Sequence, residues 1–298
     1  MKDDRKLLSV KGFIDKCDAD FALKLDNIAK DRVSKKDIRP VRLSGPTCSG
    51  KTTAAEMLTR AFEKYGKRAL TVSIDDFYFD THVLKSNSKK KGFDGIDYDS
   101  AETIDLCELK RFVEEIFVSD EVHCPVFDFK TGSRREHRVL KVCDDDVFIF
   151  EGIQAVYPEV TAMFETHRSV GIFIAPMTEH VFNDKVIKPN DLRLMRRLVR
   201  DHKYRNTAPE FTFGLWESVR NNEERSIFPY VDTCEYKVDS AMPYELGVLR
   251  PHLEKILSPI KEEDYGYESA QKILTLVKDI DIISDTLIGK DSLYKEFI

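Results

Sequence analysis

The sequence lacks the features of a secreted or membrane-spanning protein. Its first residues, Met-Lys-Asp-Asp-Arg-Lys, contain no apolar signal-peptide core, and no stretch approaches the roughly 20 apolar residues that span a bilayer. The six cysteines include no C-x-x-C pair, so neither a zinc site nor a disulfide framework is expected. Together these absences predict a cytoplasmic protein with free thiols and no membrane partner.

The chain also lacks an excess of positive charge. Its 298 residues carry a formal net charge of −6, which provides no general attraction to nucleic acid or to an anionic membrane. No nucleic-acid partner is therefore expected, and any cationic site must be local. Hydrophobic residues make up 42% of the chain, enough for one large α/β domain with additions or for two small domains.

What the sequence does contain is a complete phosphate-binding loop, G-x-x-x-x-G-K-T, at residues 45–52. Glycine at both ends of such a loop lets successive backbone N–H groups point inward at a phosphate chain. Lys51 can reach the β- and γ-phosphates, and Thr52 offers a hydroxyl to Mg²⁺. The helix predicted over 52–65 directs its positive dipole end at the same anion. We therefore expect ATP and Mg²⁺ as cofactors, with ATP contacts from Gly45, Pro46, Thr47, Cys48, Ser49, Gly50, Lys51, Thr52 and Thr53.

Strand and helix patterns alternate around this loop. Apolar runs predict strands at 40–44, 68–74, 146–150, 169–174 and 235–239, and helical periodicity predicts helices near 103–118, 157–165, 190–203, 209–224 and 243–257. Such alternation is typical of an α/β protein whose parallel sheet is flanked by helices, here the P-loop NTPase fold. Two short β-type runs within 121–142 predict a β-hairpin inserted in this fold.

The predicted phosphate-binding domain covers residues 40–258. Residues 1–39 predict a helical N-terminal extension, and residues 259–298 predict a helical tail packed on the domain, with its helix at 266–285. Such additions often cover a sheet edge or form a subunit contact, so the question of a homo-oligomer stays open. Residues 80–97 carry lysines and two glycines and predict a polar loop on the substrate side.

Acidic residues follow the second and third predicted strands. Asp75 and Asp76 follow the second strand, and Glu151 closes the third. In open parallel sheets, ligands lie beyond the carboxyl ends of the strands. A carboxylate there can accept the proton of an attacking hydroxyl, which predicts a functional role for the pair Asp75 and Asp76. Glu151 is predicted to orient Mg²⁺ together with Thr52.

A stripe of arginines lies on the helix predicted at 190–203. Arg193, Arg196, Arg197 and Arg200 are spaced i, i+3, i+4 and i+7, which places them on one narrow face. A solvated helix face is the alternative, but such a face normally mixes charge signs and includes lysine. Guanidinium groups suit bidentate phosphate contacts. The stripe therefore predicts a lid that closes over the transferring phosphoryl group.

Seven stretches of the sequence, in this order, resemble the uridine kinase and phosphoribulokinase family of phosphate-loop kinases. They are GPTCSGKTT, SIDDFY, YDSAETID, PVFDFKTGSR, FIFEGI, RLMRRLVRDHKYR and WESVRNNEERSIFPY, followed by Asp239-Ser240 and YELGVL. The similarity covers about residues 40–257 and is greatest to bacterial uridine kinase-like proteins, whose endings are similar to SLYKEFI here. It implies a P-loop kinase that uses ATP and Mg²⁺.

The resemblance also implies roles for individual residues. Asp75 matches the catalytic base of the family, Tyr78 matches a tyrosine of the substrate pocket, and Asp99 matches the acid that holds the ribose hydroxyls. Arg196 and Arg200 match lid arginines. The predicted catalytic residues are Asp75, Lys51, Arg196 and Arg200; further ATP contacts are Arg193 and Arg197; the substrate-binding residues are Asp76, Tyr78, Asp99, Phe127 and Arg134.

These observations predict a kinase for a nucleoside-like small molecule, with the 5′-hydroxyl of uridine or cytidine as the first candidate acceptor. Phe127 and Gly132 stand where uridine–cytidine kinases carry tyrosine and histidine to recognise the pyrimidine. A pantothenate-like or sugar-phosphate-like acceptor is therefore a second candidate. A nucleotide-binding regulatory protein is a third, although retention of Asp75, Glu151 and the arginines argues against it, because a sensor needs no acceptor base.

Overall fold

The computed structural model describes residues 9–35, 40–90, 96, 98 and 100–298. Its strands are β1 (Pro40–Ser44), β2 (Ala69–Ser73), β3 (Glu121–Asp128), β4 (Ser133–Lys141), β5 (Val147–Glu151), β6 (Val170–Ala175), β7 (His180–Phe182), β8 (Lys185–Ile187) and β9 (Tyr236–Asp239). Five of them form a parallel sheet in the order β2-β5-β1-β6-β9. The predicted parallel sheet of a P-loop fold is thus confirmed.

Helices cover both faces of this sheet. They are α1 (Val10–Ser34), α2 (Lys51–Lys64), α3 (Thr81–Lys90), α4 (Leu106–Glu115), α5 (Pro158–Thr161), α6 (Pro189–Arg205), α7 (Pro209–Ser226), α8 (Glu245–Leu257) and α9 (Tyr267–Val277). Successive side chains of a strand point to opposite faces. Val147 and Ile149 of β5 therefore join a core with α1, α2, α6, α8 and α9, whereas Phe148 and Phe150 join a second core with α4 and β3.

Two hairpins accompany the sheet. β3 and β4 pair antiparallel from Glu121 opposite Lys141 to Asp128 opposite Ser133, which confirms the predicted insertion. The register shifts between Cys124 and Val126, at a proline that cannot donate a ladder hydrogen bond. The second hairpin, β7 and β8, precedes α6 and was not predicted from the sequence.

Residues 81–90 correct the prediction of a polar loop at 80–97, because they form α3. Leu84 is only 3% exposed and anchors the helix, while the N–H of Thr81 donates to the carbonyl oxygen of Gly132 at 2.8 Å. These tertiary contacts fix a helix whose lysine- and serine-rich sequence has no apolar stripe to predict it. Residues 91–95 and 97 lie outside the described residues.

Three predicted helices are clearly shorter than expected. α4 covers Leu106–Glu115 rather than 103–118. α5 ends at Thr161 and is followed by 3₁₀ turns to His167. α9 ends at Val277 rather than at residue 285. Beyond it, the N–H of Ile283 donates to the carbonyl oxygen of Gly247 at 3.0 Å, so the chain is drawn back onto α8 in an irregular conformation.

Both ends of the described chain pack into the core that contains β1. Phe21 and Leu25 of α1 are buried there, as are Leu293, Tyr294 and Phe297 near the end of the sequence. Within the described ranges, no helix has both the length and the apolar character required to cross a bilayer.

Candidate active site

The phosphate loop connects β1 to α2 and has the backbone conformation that its glycines predict. Gly50 has φ +92°, and a Cβ atom there would lie 2.4 Å from Leu293 Cδ1. A Cβ atom on Gly45 would lie 2.0 Å from the carbonyl oxygen of Ile174. Glycine is therefore required at both positions. The cradle and the start of α2 fit a phosphate chain, because the first N–H groups of a helix have no partner within the helix.

Lys51 and Thr52 begin α2 beside this cradle. Lys51 Nζ donates to the carbonyl oxygen of Pro46 at 3.1 Å, so its ammonium group is held over the loop. Thr52 is exposed and its hydroxyl is open to a ligand. Hydroxyl and carboxylate oxygens are the protein ligands that Mg²⁺ prefers. With Glu151 as the carboxylate, this donor set fits a magnesium ion bound to a phosphate chain.

Two arginines of the predicted lid donate hydrogen bonds to carbonyl oxygens of the phosphate loop. Arg193 and Arg196 are 1% and 0% exposed. Arg193 Nη1 donates to the carbonyl oxygen of Thr47 at 3.2 Å, and Arg196 Nη1 donates to that of Cys48 at 3.2 Å. The predicted contacts of these two guanidinium groups with ATP phosphates, and the predicted catalytic role of Arg196, stay predictions; in the structure both groups donate to carbonyl oxygens of the loop. The two side chains brace the loop through its carbonyl groups.

Buried carboxylates neutralise both bracing arginines. Arg193 forms a bidentate pair with Glu223 at 2.6 and 2.7 Å. Arg196 Nε donates to Glu245 Oε2 at 2.8 Å, and its Nη2 donates to the carbonyl oxygen of Ser240 at 2.7 Å. All three nitrogens of Arg196 are thus used within the protein. The sequence alone missed Glu223 and Glu245, because they lie on α7 and α8, far along the chain.

Arg197 and Arg200 are the members of the stripe that remain available to a ligand. Their side chains are 12% and 15% exposed, and both contact Asp201, at 3.2 Å from Arg197 Nε and at 2.8 Å from Arg200 Nη2. In the part of the chain that the structure describes, neither terminal amino group of Arg197 makes a hydrogen bond. Asp201 holds the guanidinium groups in place while leaving donors free for a phosphate.

Asp75 lies in a 3₁₀ turn (Ile74–Phe77) directly after β2. Burial raises the pKa of its carboxyl group; the charge of Lys51 and hydrogen bonds from Tyr78 and Gln154 oppose this rise, and the negative charge of Asp76 adds to it. Gln154, which sequence reasoning missed, is fully buried and donates through Nε2 to the Tyr78 hydroxyl at 3.1 Å. A polar residue in the apolar run after Glu151 was the available signal.

Glu151 ends β5 opposite Ser73 of β2. Its Oε1 accepts a hydrogen bond from Ser73 Oγ at 3.1 Å. Burial raises the pKa of Glu151 to about 7; the positive charge of Lys51 opposes this shift, and the negative charge of Asp75 adds to it. The charge of one ammonium group, that of Lys51, therefore lowers the pKa of both Asp75 and Glu151.

An aromatic cluster surrounds Tyr78, three residues after Asp75. It comprises Tyr78, Tyr98, Phe127 and Phe129, with ring centroids 5.6 Å apart for Tyr78 and Phe127 and 5.0 Å apart for Phe127 and Phe129. Tyr78 and Phe127 are buried, whereas Tyr98 and Phe129 are 39% and 64% exposed. The cluster offers an exposed aromatic surface. Asp99, predicted to hold ribose hydroxyls, lies outside the described residues.

Arg134 and Asp76, both predicted to bind substrate, fasten the β3–β4 hairpin to the site. Arg134 donates to the carbonyl oxygens of Tyr78 at 2.8 Å and Phe77 at 2.9 Å, and it forms an ion pair with Glu108. Asp76 Oδ1 accepts the N–H of Phe127 at 3.1 Å. Substrate binding by Arg134 stays a prediction; in the structure its guanidinium group is engaged within the protein.

The segment 292–298 also reaches the phosphate loop, which sequence reasoning missed. Leu293 packs against Gly50, and Glu296 Oε2 lies 3.4 Å from Thr53 N and 3.3 Å from Thr53 Oγ1. The hydroxyl of Tyr294 donates to Glu245 at 2.8 Å. The signal was the apolar and aromatic ending SLYKEFI, which indicated a packed segment without indicating what it packs against.

Comparison with known proteins gives consistent findings. Residues 41–243 match the family model described as "Phosphoribulokinase / Uridine kinase family". A uridine kinase from Ureaplasma urealyticum serovar 10 is 25% identical over 179 residues, covering 60% of this chain and 76% of the relative. A uridine kinase from Mycoplasma genitalium is 28% identical over 161 residues, covering 54% and 66%.

Among solved structures, a candidate fructose transport system kinase from Silicibacter sp. TM1040 superposes with a TM-score of 0.52. The match has 19% sequence identity and covers 72% of this chain and 97% of the other. At this identity the likeness concerns the fold alone.

Proposed function

We propose that this chain, which belongs to the phosphoribulokinase / uridine kinase family, transfers the γ-phosphate of ATP to a hydroxyl group of a small molecule. The observation that supports this most directly is the position of Lys51, whose charge acts on both Asp75 and Glu151. Phosphoryl transfer needs a phosphate cradle, a metal-orienting acid and an acceptor base within one small space. These three residues supply all of them.

In the proposed mechanism, Asp75 orients the acceptor hydroxyl and takes its proton. Gln154 and Tyr78 lower the pKa of this carboxyl group and so favour the charged form, which is the form that accepts a proton. Mg²⁺, held through Thr52 and Glu151, would neutralise charge on the phosphates. Lys51 binds the phosphate chain, and Arg197 and Arg200 offer donors to the transferred group. A loose transition state spreads charge onto the phosphoryl oxygens, so such donors stabilise it.

We propose the 5′-hydroxyl of uridine or cytidine as the acceptor. The aromatic cluster supports this choice, because Tyr98 and Phe129 present exposed ring surfaces beside Tyr78 on which a planar base can stack. The two relatives described above are both uridine kinases.

A second candidate acceptor is a hydroxylated metabolite without a pyrimidine. The Phe127 ring has no polar atom with which to read a base edge, and Gly132 has no side chain. A Cβ atom on Gly132 would lie 2.4 Å from Thr81 Oγ1, so a larger residue there requires α3 to shift. This difference from uridine–cytidine kinases favours an acceptor recognised by its shape and its hydroxyl groups.

The test is ADP production by the purified chain with Mg-ATP and a panel of nucleosides, pantothenate and phosphosugars. We expect stimulation by uridine or cytidine. Stimulation by another acceptor alone would keep the kinase and replace the substrate. Asp75→Asn should lower turnover by about 100-fold or more while ATP binding persists, and Asp20→Asn, an exposed acid on α1, is the matched control. Unchanged turnover in Asp75→Asn would exclude it as the base.

A further inference from the structure

The carboxylate of Glu296 occupies donors at the first turn of α2. Its Oε2 lies 3.4 Å from Thr53 N and 3.3 Å from Thr53 Oγ1. Thr53 is the third residue of α2, so its N–H has no carbonyl partner within the helix. A phosphate loop offers these same N–H groups to the phosphates of a nucleotide. A carboxylate and a phosphate therefore require the same donors.

Glu296 is held there by a packed segment. Leu293, Tyr294 and Phe297 are each 1% exposed or less. Leu293 packs on Gly50, and the Arg196 guanidinium lies 5.6 Å from the Tyr294 ring centroid and 4.9 Å from that of Phe297. The segment is therefore anchored on the loop and on the arginine that braces it, and it presents the Glu296 side chain to Thr53.

The charge of Glu296 also acts on two other groups of the site, Glu151 and Arg200. It adds to the rise in the pKa of Glu151, and it interacts electrostatically with Arg200. The contact of Glu296 with Thr53 places this charge at the first turn of α2, where a phosphate chain would bind. A bound nucleotide would bring several further negative charges beside it.

We propose that Glu296 is an intramolecular competitor of the nucleotide, whose carboxylate must leave Thr53 before the phosphate chain can bind fully. This inference rests on the proposed function, because it requires the loop to bind a nucleotide. Glu296 thereby lowers the nucleotide affinity of the site, and the segment 292–298 holds its side chain in position. Each binding event exchanges a carboxylate for a phosphate at the same two donors.

The alternative role for Glu296 is that of a simple helix cap. Acids at the start of a helix stabilise it, and the N-cap residue of α2, Gly50, provides no side-chain cap. The two roles predict opposite signs. Removing a cap lowers stability and leaves nucleotide affinity unchanged or weaker, whereas removing a competitor makes nucleotide binding tighter.

The experiment is calorimetric titration of the full chain with Mg-ATP, for the wild type and for Glu296→Gln. We expect the dissociation constant of Glu296→Gln to be about tenfold lower. Asp291→Asn is the matched control, because this acid belongs to the same stretch of chain but is 69% exposed and lies 3.8 Å from Arg60; its affinity should equal that of the wild type. Glu296→Asp shortens the side chain and keeps the charge, so its dissociation constant should lie between those of the wild type and Glu296→Gln. This variant replaces Glu296→Gln in the test if the latter does not fold.

Equal affinities for the wild type and the Glu296 variants, or weaker binding by the variants, would overturn the inference while the proposed function survives. Absence of binding by the wild type and by all variants would refute the proposed function itself. Lys51→Ala tests whether the measured binding occurs at the phosphate loop. Tight binding that persists in this variant would arise elsewhere on the protein, and would refute the proposed role of the loop.

Discussion

Replacing Arg196 by methionine tests whether this arginine braces the phosphate loop or contacts phosphate. Methionine fills most of the same volume but donates no hydrogen bond. The substitution leaves the Glu245 carboxylate, which is 0% exposed, without its guanidinium partner. His180 Nε2 at 3.1 Å and the Tyr294 hydroxyl at 2.8 Å remain beside the carboxylate. The carbonyl oxygens of Cys48 and Ser240 lose their donors as well.

The magnitude follows from burial. Removing one partner of a buried ion pair costs about 3–5 kcal/mol, and we take the value of about 4 kcal/mol because neighbours still solvate Glu245 in part. Unfolding entropy is about 2 cal/mol/K per residue. For a chain of 298 residues, a loss of this size lowers the melting temperature by roughly 6 °C.

The assay is thermal unfolding of the variant followed by circular dichroism, together with ATP affinity measured well below the transition. Arg196→Lys should recover part of the stability, because it restores the charge but not the planar fork. Arg200→Met is the matched control on the same helix face. Its side chain is only partly exposed and contacts Asp201, so we expect a loss of turnover of about 100-fold or more with a melting temperature within about 2 °C of wild type.

The reverse pattern would refute this reasoning. If Arg196→Met melted at the wild-type temperature but lost turnover, while Arg200→Met lost stability, then the arginines would have exchanged roles. The lid would then involve the buried pair, and the described conformation would not be the one that acts.

Three further outcomes are expected. Glu151→Gln should stabilise the ligand-free protein by roughly 3 kcal/mol near pH 8. Burial raises the pKa of Glu151 from 4.5 to about 7, so its carboxyl group destabilises the fold progressively as pH rises from the lower value to the higher one. Urea unfolding at a series of pH values should show the gain disappear near pH 4.5, and a pH-independent gain would contradict the assignment. Phe129→Ala should raise the acceptor KM about three- to tenfold without changing stability. Phe211→Ala, which changes a similarly exposed ring on α7, should leave the acceptor KM unchanged. Equal KM values for the two variants would show that the aromatic cluster is not part of the acceptor site. Gly45→Ala should weaken ATP binding, measured by calorimetry, more than about tenfold, because its Cβ would lie 2.0 Å from a main-chain oxygen. Gly289 has open space around it, so Gly289→Ala should bind ATP with the wild-type affinity.

The arginine stripe illustrates how far sequence reasoning extended into the site. The spacing of Arg193, Arg196, Arg197 and Arg200 correctly put them on one helix, since they all belong to α6. It did not separate the two buried bracing residues from the two that keep free donors. That separation depends on Glu223 and Glu245, which lie 30 and 49 residues further along the chain and approach only when α7 and α8 pack.

The sequence by itself determined the phosphate loop, the parallel strands and the positions of Asp75 and Glu151. These features depend on local rules: glycine permits the turn, apolar runs form buried strands, and strand ends place acids at one edge of the sheet. Only the tertiary structure decided that α3 is helical, that Arg134 fastens the hairpin and that Glu296 reaches Thr53 across 243 residues. Such contacts join segments remote in sequence, and no local propensity encodes which remote partner will satisfy a given donor or charge.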